Sequence, residues 1–335
     1  VQAVEHETNH QGADEAAPEN GNGSGHPLGH ASVPLSDVII GRVSHELSVV
    51  RENIANVLRD RVIGDNAEEK QAAIVLAEGP RWFAPDRPIH IVHSDASMFM
   101  GGMRALLLQT LHPLAMAGVA QHSDYRTDPW GRLQRTADFL AATTFGPEDV
   151  AQHAVDRVRA VHARVTGFAS DGRPYSAGDP HLLRWVHVAE VDSFLTAHRI
   201  YGATRLTEQQ YDGYVEDMAF IARKLGVPAP PTSVQGLKDQ LNHFRRELHA
   251  TAEARDAVKY LLLDPPLNAA GRVPYALIAS GAVATLPGWA RSMLRLPYVP
   301  LVDKFAAQPL GQAITGIIRW ATSANVTYQT SPTSH

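Results

Sequence analysis

The chain has 335 residues, of which 44% are hydrophobic and 19% charged, and a formal net charge of −5. That length suits one large domain or two small ones with a substantial core, and the acidic balance, with no basic stripe, argues against a nucleic-acid partner. Cysteine is absent, which excludes disulfides, thiolate metal sites, iron–sulfur clusters and cysteine nucleophiles. Any bound metal or haem must therefore be held by His, Asp, Glu, Tyr or Met.

Residues 1–34 are rich in Glu, Asn, Gly, Pro and Ser and poor in large apolar side chains. Burial cannot offset the entropy of ordering such a segment, so it reads as a disordered tail, with His6, His10, His26 and His30 scattered along it. No secretory leader pattern is seen at the start, and no run of about 18 apolar residues occurs. The expected location is cytoplasmic, with a peripheral membrane contact as an option. Leu47, Val50, Ile54, Val57 and Leu58 carry a helical period. PIHIVH, from Pro88 to His93, is the main stretch with strand-like alternation. Asp95 or Ser97 opens a nearly continuous apolar helix, in which Arg104, Leu108 and His112 would share a face and Pro113 would kink or break the chain.

A helix follows from Pro129 to the stop signal at Gly146, and another carries a stripe of Val150, Ala154, Val158, Val161 and Val165. A polar loop leads to Asp179 as a cap with Pro180 as first helical residue. Thr207 and Gln210 form a capping-box pair, and Gly226 terminates that helix. The apolar stretch from Val273 to Pro287 reads as a buried helix, with a shallow membrane contact as the alternative. These patterns predict an all-α fold, a single multi-helix domain over 35–322 followed by a polar tail over 323–335.

Seventeen histidines are the main chemical feature. There is no HExxH zinc helix, no GxSxG elbow and no glycine-rich phosphate loop. His112, His162 and His187 lie in apolar helices. His162 is either a hydrogen-bonded core histidine or an axial ligand held on a rigid element in an apolar slot, with His187 as the rival ligand. Arg132, Arg135 and Thr136, at i, i+3 and i+4, face together. They could hold a carboxylate, or pair on the surface with Asp128 and Asp138. His112 and His122 could line a distal pocket.

The ordered series LLLQTLHPLAMAGVAQHS, DPWGRLQRTADFL, VHARVTG and YSAGDPHLLRWVH resembles a family of bacterial and fungal proteins related to latex-clearing protein, the rubber oxygenase, and to the fungal oxygenase of mycophenolic acid biosynthesis. The resemblance covers about residues 45–300. It implies a helical domain binding haem b through one histidine, which corresponds to His162. It also implies that the family's Arg-x-x-Lys-Thr motif falls on Arg132, Arg135 and Thr136, with Arg135 at the lysine position. The family's distal carboxylate has no match in HPLAMAGVAQHS, and the chain is short for a polymer-cleaving enzyme. The implied activity is therefore a haem-dependent oxygenase acting with dioxygen, and with a possible electron donor, on a small lipophilic or aromatic substrate. The alternatives are a non-haem metal enzyme using the same histidines and a non-enzymatic haem-binding protein.

Overall fold

The structure, a computed structural model, describes residues 48–56, 69–70 and 72–323. The expected N-terminal tail with its four histidines, Leu47, Val57 and Leu58 of the first helical pattern, and nearly all of the C-terminal tail lie outside the described residues.

The fold is all-α. Residues 48–56 are helical, and from residue 88 the helices run in this order: α1 (Pro88–Ser94), α2 (Ser97–Gln109), α3 (Pro113–His122), α4 (Pro129–Phe145) and α5 (Glu148–His162). A two-stranded antiparallel hairpin follows, β1 (Thr166–Phe168) against β2 (Pro174–Ser176), with Gly167 opposite Tyr175. Then come α6 (Pro180–Tyr201), α7 (Glu208–Leu225), α8 (Val234–Phe244), α9 (Ala252–Leu263), α10 (Ala269–Ala284), α11 (Gly288–Leu294) and α12 (Gln308–Thr322).

The central element is α6, whose 22 residues span about 33 Å. It buries Trp185, Val188, Ala189, Val191 and Ala197 completely, as expected of a helix packed on several sides. Its main neighbour is α2. A Cβ at Gly101 would stand 2.6 Å from the Phe194 ring and 3.1 Å from its Cα, so the missing side chain lets the two helices approach. An ion pair locks the crossing. Arg104 Nη2 donates to Asp192 Oδ2 at 2.7 Å and Arg104 Nη1 to Ser193 Oγ at 2.7 Å, with both ends buried.

Helix ends follow the local chemistry. Asp179 accepts from His181 N with Pro180 behind it, the Thr207–Gln210 capping box is complete, and Gly226 closes α7 at φ +100°. Asp128 caps α4 by accepting from Gly131 N. At Pro113 the chain breaks rather than kinks: α2 ends at Gln109 and His112 becomes the cap of α3. Arg104 and His112 therefore do not share a helical face.

Three further expectations are corrected. PIHIVH is a helix, because Pro88 suits its first turn and Ile89 and Val92, at i and i+3, are fully buried, while Asp217 Oδ2 accepts from Ile89 N. The inward face of α5 runs through Ala151, Val155, Val158 and His162, and Val161 of the expected stripe is exposed. The loop before Asp179 contains the hairpin, whose turn uses Gly172 at φ +84°.

Candidate functional site

Four helices each turn one stripe toward a common apolar cavity. Phe139, Leu140 and Thr143 come from α4, His162 from the last residue of α5, Leu183, Val186, His187 and Glu190 from α6, and Met218, Ile221, Ala222 and Leu225 from α7, with Val227 beyond it. The spacing of three and four within each set is that of one helix face. The cavity itself measures about 70 Å³, within a wider space of about 510 Å³ that includes open solvent.

The polar groups at this cavity are few and poorly satisfied. His187 is buried, and its Nε2 has no hydrogen-bond partner. Burial pushes its pKa down to about 4. Burial also lowers that of His162, whose ring makes no hydrogen bond among the described residues. Both imidazoles are thus neutral near pH 7, the state that a metal ligand needs. Glu190 stands one turn after His187, and desolvation pushes its carboxyl up to about 7. Glu190 lines the cavity among mostly apolar side chains.

The motif on α4 divides. Arg132, Thr136, Leu140 and Thr143 follow the spacing of one stripe, which places Arg132 about 10 Å along the axis from the cavity residue Phe139. Its guanidinium has no ion pair or hydrogen bond among the described residues, and desolvation lowers its pKa. Arg135 is exposed and donates to Asp128 Oδ2 at 3.1 Å. Thr136 is exposed and donates to the Arg132 carbonyl. Asp138 pairs instead with Lys70.

The other expected residues lie elsewhere. His122 Nε2 is 3.1 Å from the Tyr175 hydroxyl and 3.2 Å from the Thr166 carbonyl, so it fastens the hairpin. Tyr175 points inward and donates to Gln121 Oε1. His112 caps α3 and meets His181 and Glu247, three groups whose ligand atoms lie within 4.8 Å of one another. The structure brings His162 and His187 together, and neither His112 nor His122 lines their cavity. Glu190 is the residue that sequence reasoning passed over. Its signal was a carboxylate in the apolar run WVHVAEVDSFL, one turn after a histidine and distinct from Asp192, which pairs with Arg104.

A helical domain enclosing an apolar, histidine-lined cavity fits the architecture of a small-molecule enzyme. Residues 90–320 match the family model described as the catalytic domain of the ER-bound oxygenase mpaB/B′ and of rubber oxygenase, and the chain belongs to that family. It is therefore an oxygenase-type catalytic domain. Comparison with curated proteins and with solved structures found no match to the chain.

Proposed function

We propose that the chain is a haem b-dependent oxygenase that acts with dioxygen on a small lipophilic or aromatic substrate. The observation that carries this reading is His162, a neutral imidazole without a hydrogen-bond partner at the end of a rigid helix, opening on an apolar cavity. The donor set fits the cofactor. The His162 imidazole is free to hold the iron, the walls are hydrocarbon, and the desolvated guanidinium of Arg132 would pair with a propionate. Bound haem supplies the activation of dioxygen.

The chain's own residues set the conditions for that chemistry. Phe139, Leu140, Val186, Met218 and Ile221 exclude water and select an apolar substrate. His187 offers a buried ring nitrogen as the orienting polar group across the cavity. Glu190, with its carboxyl close to half ionised at neutral pH, can hold a proton at the cavity wall and release it. It is the carboxylate that the sequence lacked in HPLAMAGVAQHS, supplied from a different helix. Arg135 and Thr136, exposed near the start of α4, are assigned to the rim, where Arg135 is held by Asp128. An external electron donor is the remaining partner where only one oxygen atom enters the product.

The test is an absorption spectrum with a pyridine haemochrome assay on protein expressed with ample haem. A Soret band with about one haem b per chain supports the reading, and His162→Ala should abolish it. A second reading, a non-haem ion at the same histidines, is favoured by His187 and Glu190 standing one turn apart on one wall. Iron or zinc bound there without porphyrin would establish it.

We also assign this chain a peripheral membrane contact. No single helix among the described residues is long and apolar enough to cross a membrane. The stretch from Val273 to Pro287 packs against α2 and α12 through α10 and buries Ala279, Ala282 and Leu286, while Val273 at its start is exposed. Beyond it, Leu301 and Phe305 are each 71% exposed, and Tyr298, Val299, Val302 and Leu310 are exposed around them. Asp303 is the sole acidic residue from Pro265 to Ser323, and it is buried against Arg291. Arg295 and Lys304 stand exposed beside the apolar patch. That combination suits a bilayer with anionic headgroups, a source of lipophilic substrate.

A further inference from the structure

We propose that His112, His181 and Glu247 form a divalent-cation site of the zinc type, separate from the cavity. The three residues come from distant parts of the chain. His112 is the cap of α3, His181 lies in the first turn of α6, and Glu247 follows α8. Glu247 Oε2 is 2.7 Å from His181 Nε2 and 3.7 Å from His112 Nε2. Tetrahedral bonds of about 2.1 Å put ligand atoms about 3.4 Å apart, so the observed separations bracket what an ion needs. Two imidazoles and one carboxylate are a borderline donor set suited to zinc, and the exposure of His181 and Glu247 would leave the fourth position to water.

A second observation points to a ligand. His112 is 2% exposed, and its Nε2, aimed at Glu247, has no hydrogen-bond partner. A plain surface pair between His181 and Glu247 leaves that nitrogen unsatisfied, whereas an ion satisfies it. The ring is already fixed in place, packed against Trp185 and Phe244 with centroids 6.2 and 6.5 Å away. Its other nitrogen accepts from Ala115 N at 3.5 Å, the outer limit of a hydrogen bond. An ion at Nε2 moves the ring proton to Nδ1 and gives up that weak contact. The nearby cation Arg173 is neutralised by Asp171 at 2.7 Å.

His181 also lines a cleft with Arg184, Asp239 and His243, which opens a route from solvent. His181 and His187 are six residues apart on α6, about 9 Å along the axis and roughly 120° around it. The ion would therefore fasten the segment after α8 to the starts of α3 and α6 without entering the oxygenase cavity.

The experiment uses the full chain, stripped with chelator and titrated with zinc chloride by calorimetry, with elemental analysis of the dialysed product. The expected result is one site lost on substitution, with His181→Ala and Glu247→Gln each weakening binding about tenfold or more. Both side chains are about two-fifths exposed, so these variants should fold even where His112→Ala does not. Zinc should raise the melting temperature of the parent and not of the His181→Ala/Glu247→Gln pair, and His162→Ala should bind zinc as the parent does. Cobalt substituted for zinc should give visible bands of a four-coordinate ion. Absence of binding overturns the proposal. So does binding that persists in the paired variant, which would place the ion elsewhere, for instance on His6, His10, His26 and His30.

Discussion

Glu190 is a carboxyl in a hydrocarbon wall, and its pKa near 7 has a measurable cost. Unfolded, the group titrates near 4.5. Between these values the folded chain keeps a proton that the unfolded chain has released, so stability falls as pH rises through that window. The full effect is at most about 3 kcal/mol. His187 acts in the opposite sense. Its folded pKa of about 4 lies below the ordinary 6.5, so its contribution is complete above pH 6.5 and is lost as pH falls toward 4. The two windows overlap, and the parent's pH profile alone cannot separate them. Glu190→Gln should therefore melt higher than the parent at pH 8 and equally at pH 4, and a difference unchanged between these pH values would refute the assignment. On the proposed haem reading, His162→Ala should lose haem, whereas His187→Ala should retain haem and alter substrate oxidation, as read by Soret absorbance and oxygen uptake. The candidate ligands were legible in the sequence because an imidazole in an apolar helix is conspicuous. That His187 and His162 share a cavity while His112 and His122 do not depends on which faces α5 and α6 present, and on the chain break at Pro113. Single-sequence periodicity does not resolve those.

The helices themselves were readable wherever a cap announced them. Asp179 with Pro180, Thr207 with Gln210, and Gly226 each satisfy orphan backbone groups locally, so their signal needs no tertiary partner. PIHIVH misled because alternation over six residues suits a strand, yet Asp217 of α7 receives the Ile89 amide and Arg87 pairs with the same carboxylate, which anchors a helix start from across the fold. The α2–α6 crossing is likewise tertiary. Gly101 gives no helix signal of its own, and Arg104 would look like an ordinary helix arginine. Their structural role makes two predictions. Arg104→Ala leaves Asp192 buried without its cation, and chemical denaturation should show a loss of about 3–5 kcal/mol. Gly101→Val forces a branched side chain into the Phe194 ring and backbone, and should destabilise the crossing enough that the protein loses its folded near-ultraviolet signature. A Gly101→Val chain as stable as the parent would mean that α2 and α6 are not held as closely as described.

At the scale of the whole molecule, acidic charge is scarce toward one end of the described residues. The chain carries −5 overall, yet from Pro265 to Ser323 its one carboxylate is spent internally on Arg291, so this end presents exposed Arg295 and Lys304 beside Leu301 and Phe305. An exposed apolar patch of that kind on a domain with a full internal core supports the proposed membrane contact. A bilayer partner also fits the lipophilic substrate proposed for the cavity, which would then be drawn from the membrane instead of from dilute solution. Vesicle co-sedimentation tests this. The parent should bind phosphatidylserine-containing vesicles more strongly than neutral ones, and binding should weaken as salt rises, because the electrostatic part is screened. Leu301→Ser/Phe305→Ser should reduce binding to both vesicle types, since each lost side chain removes apolar area from the interface. Lys304→Glu should act on the anionic vesicles alone. Both variants should keep the parent's melting temperature, because these side chains are exposed in the folded chain. Parent binding that is indifferent to lipid charge and to both variants would remove the membrane role, and concentration-dependent dimerisation lost in Phe305→Ser would assign the same patch to a second copy of the chain.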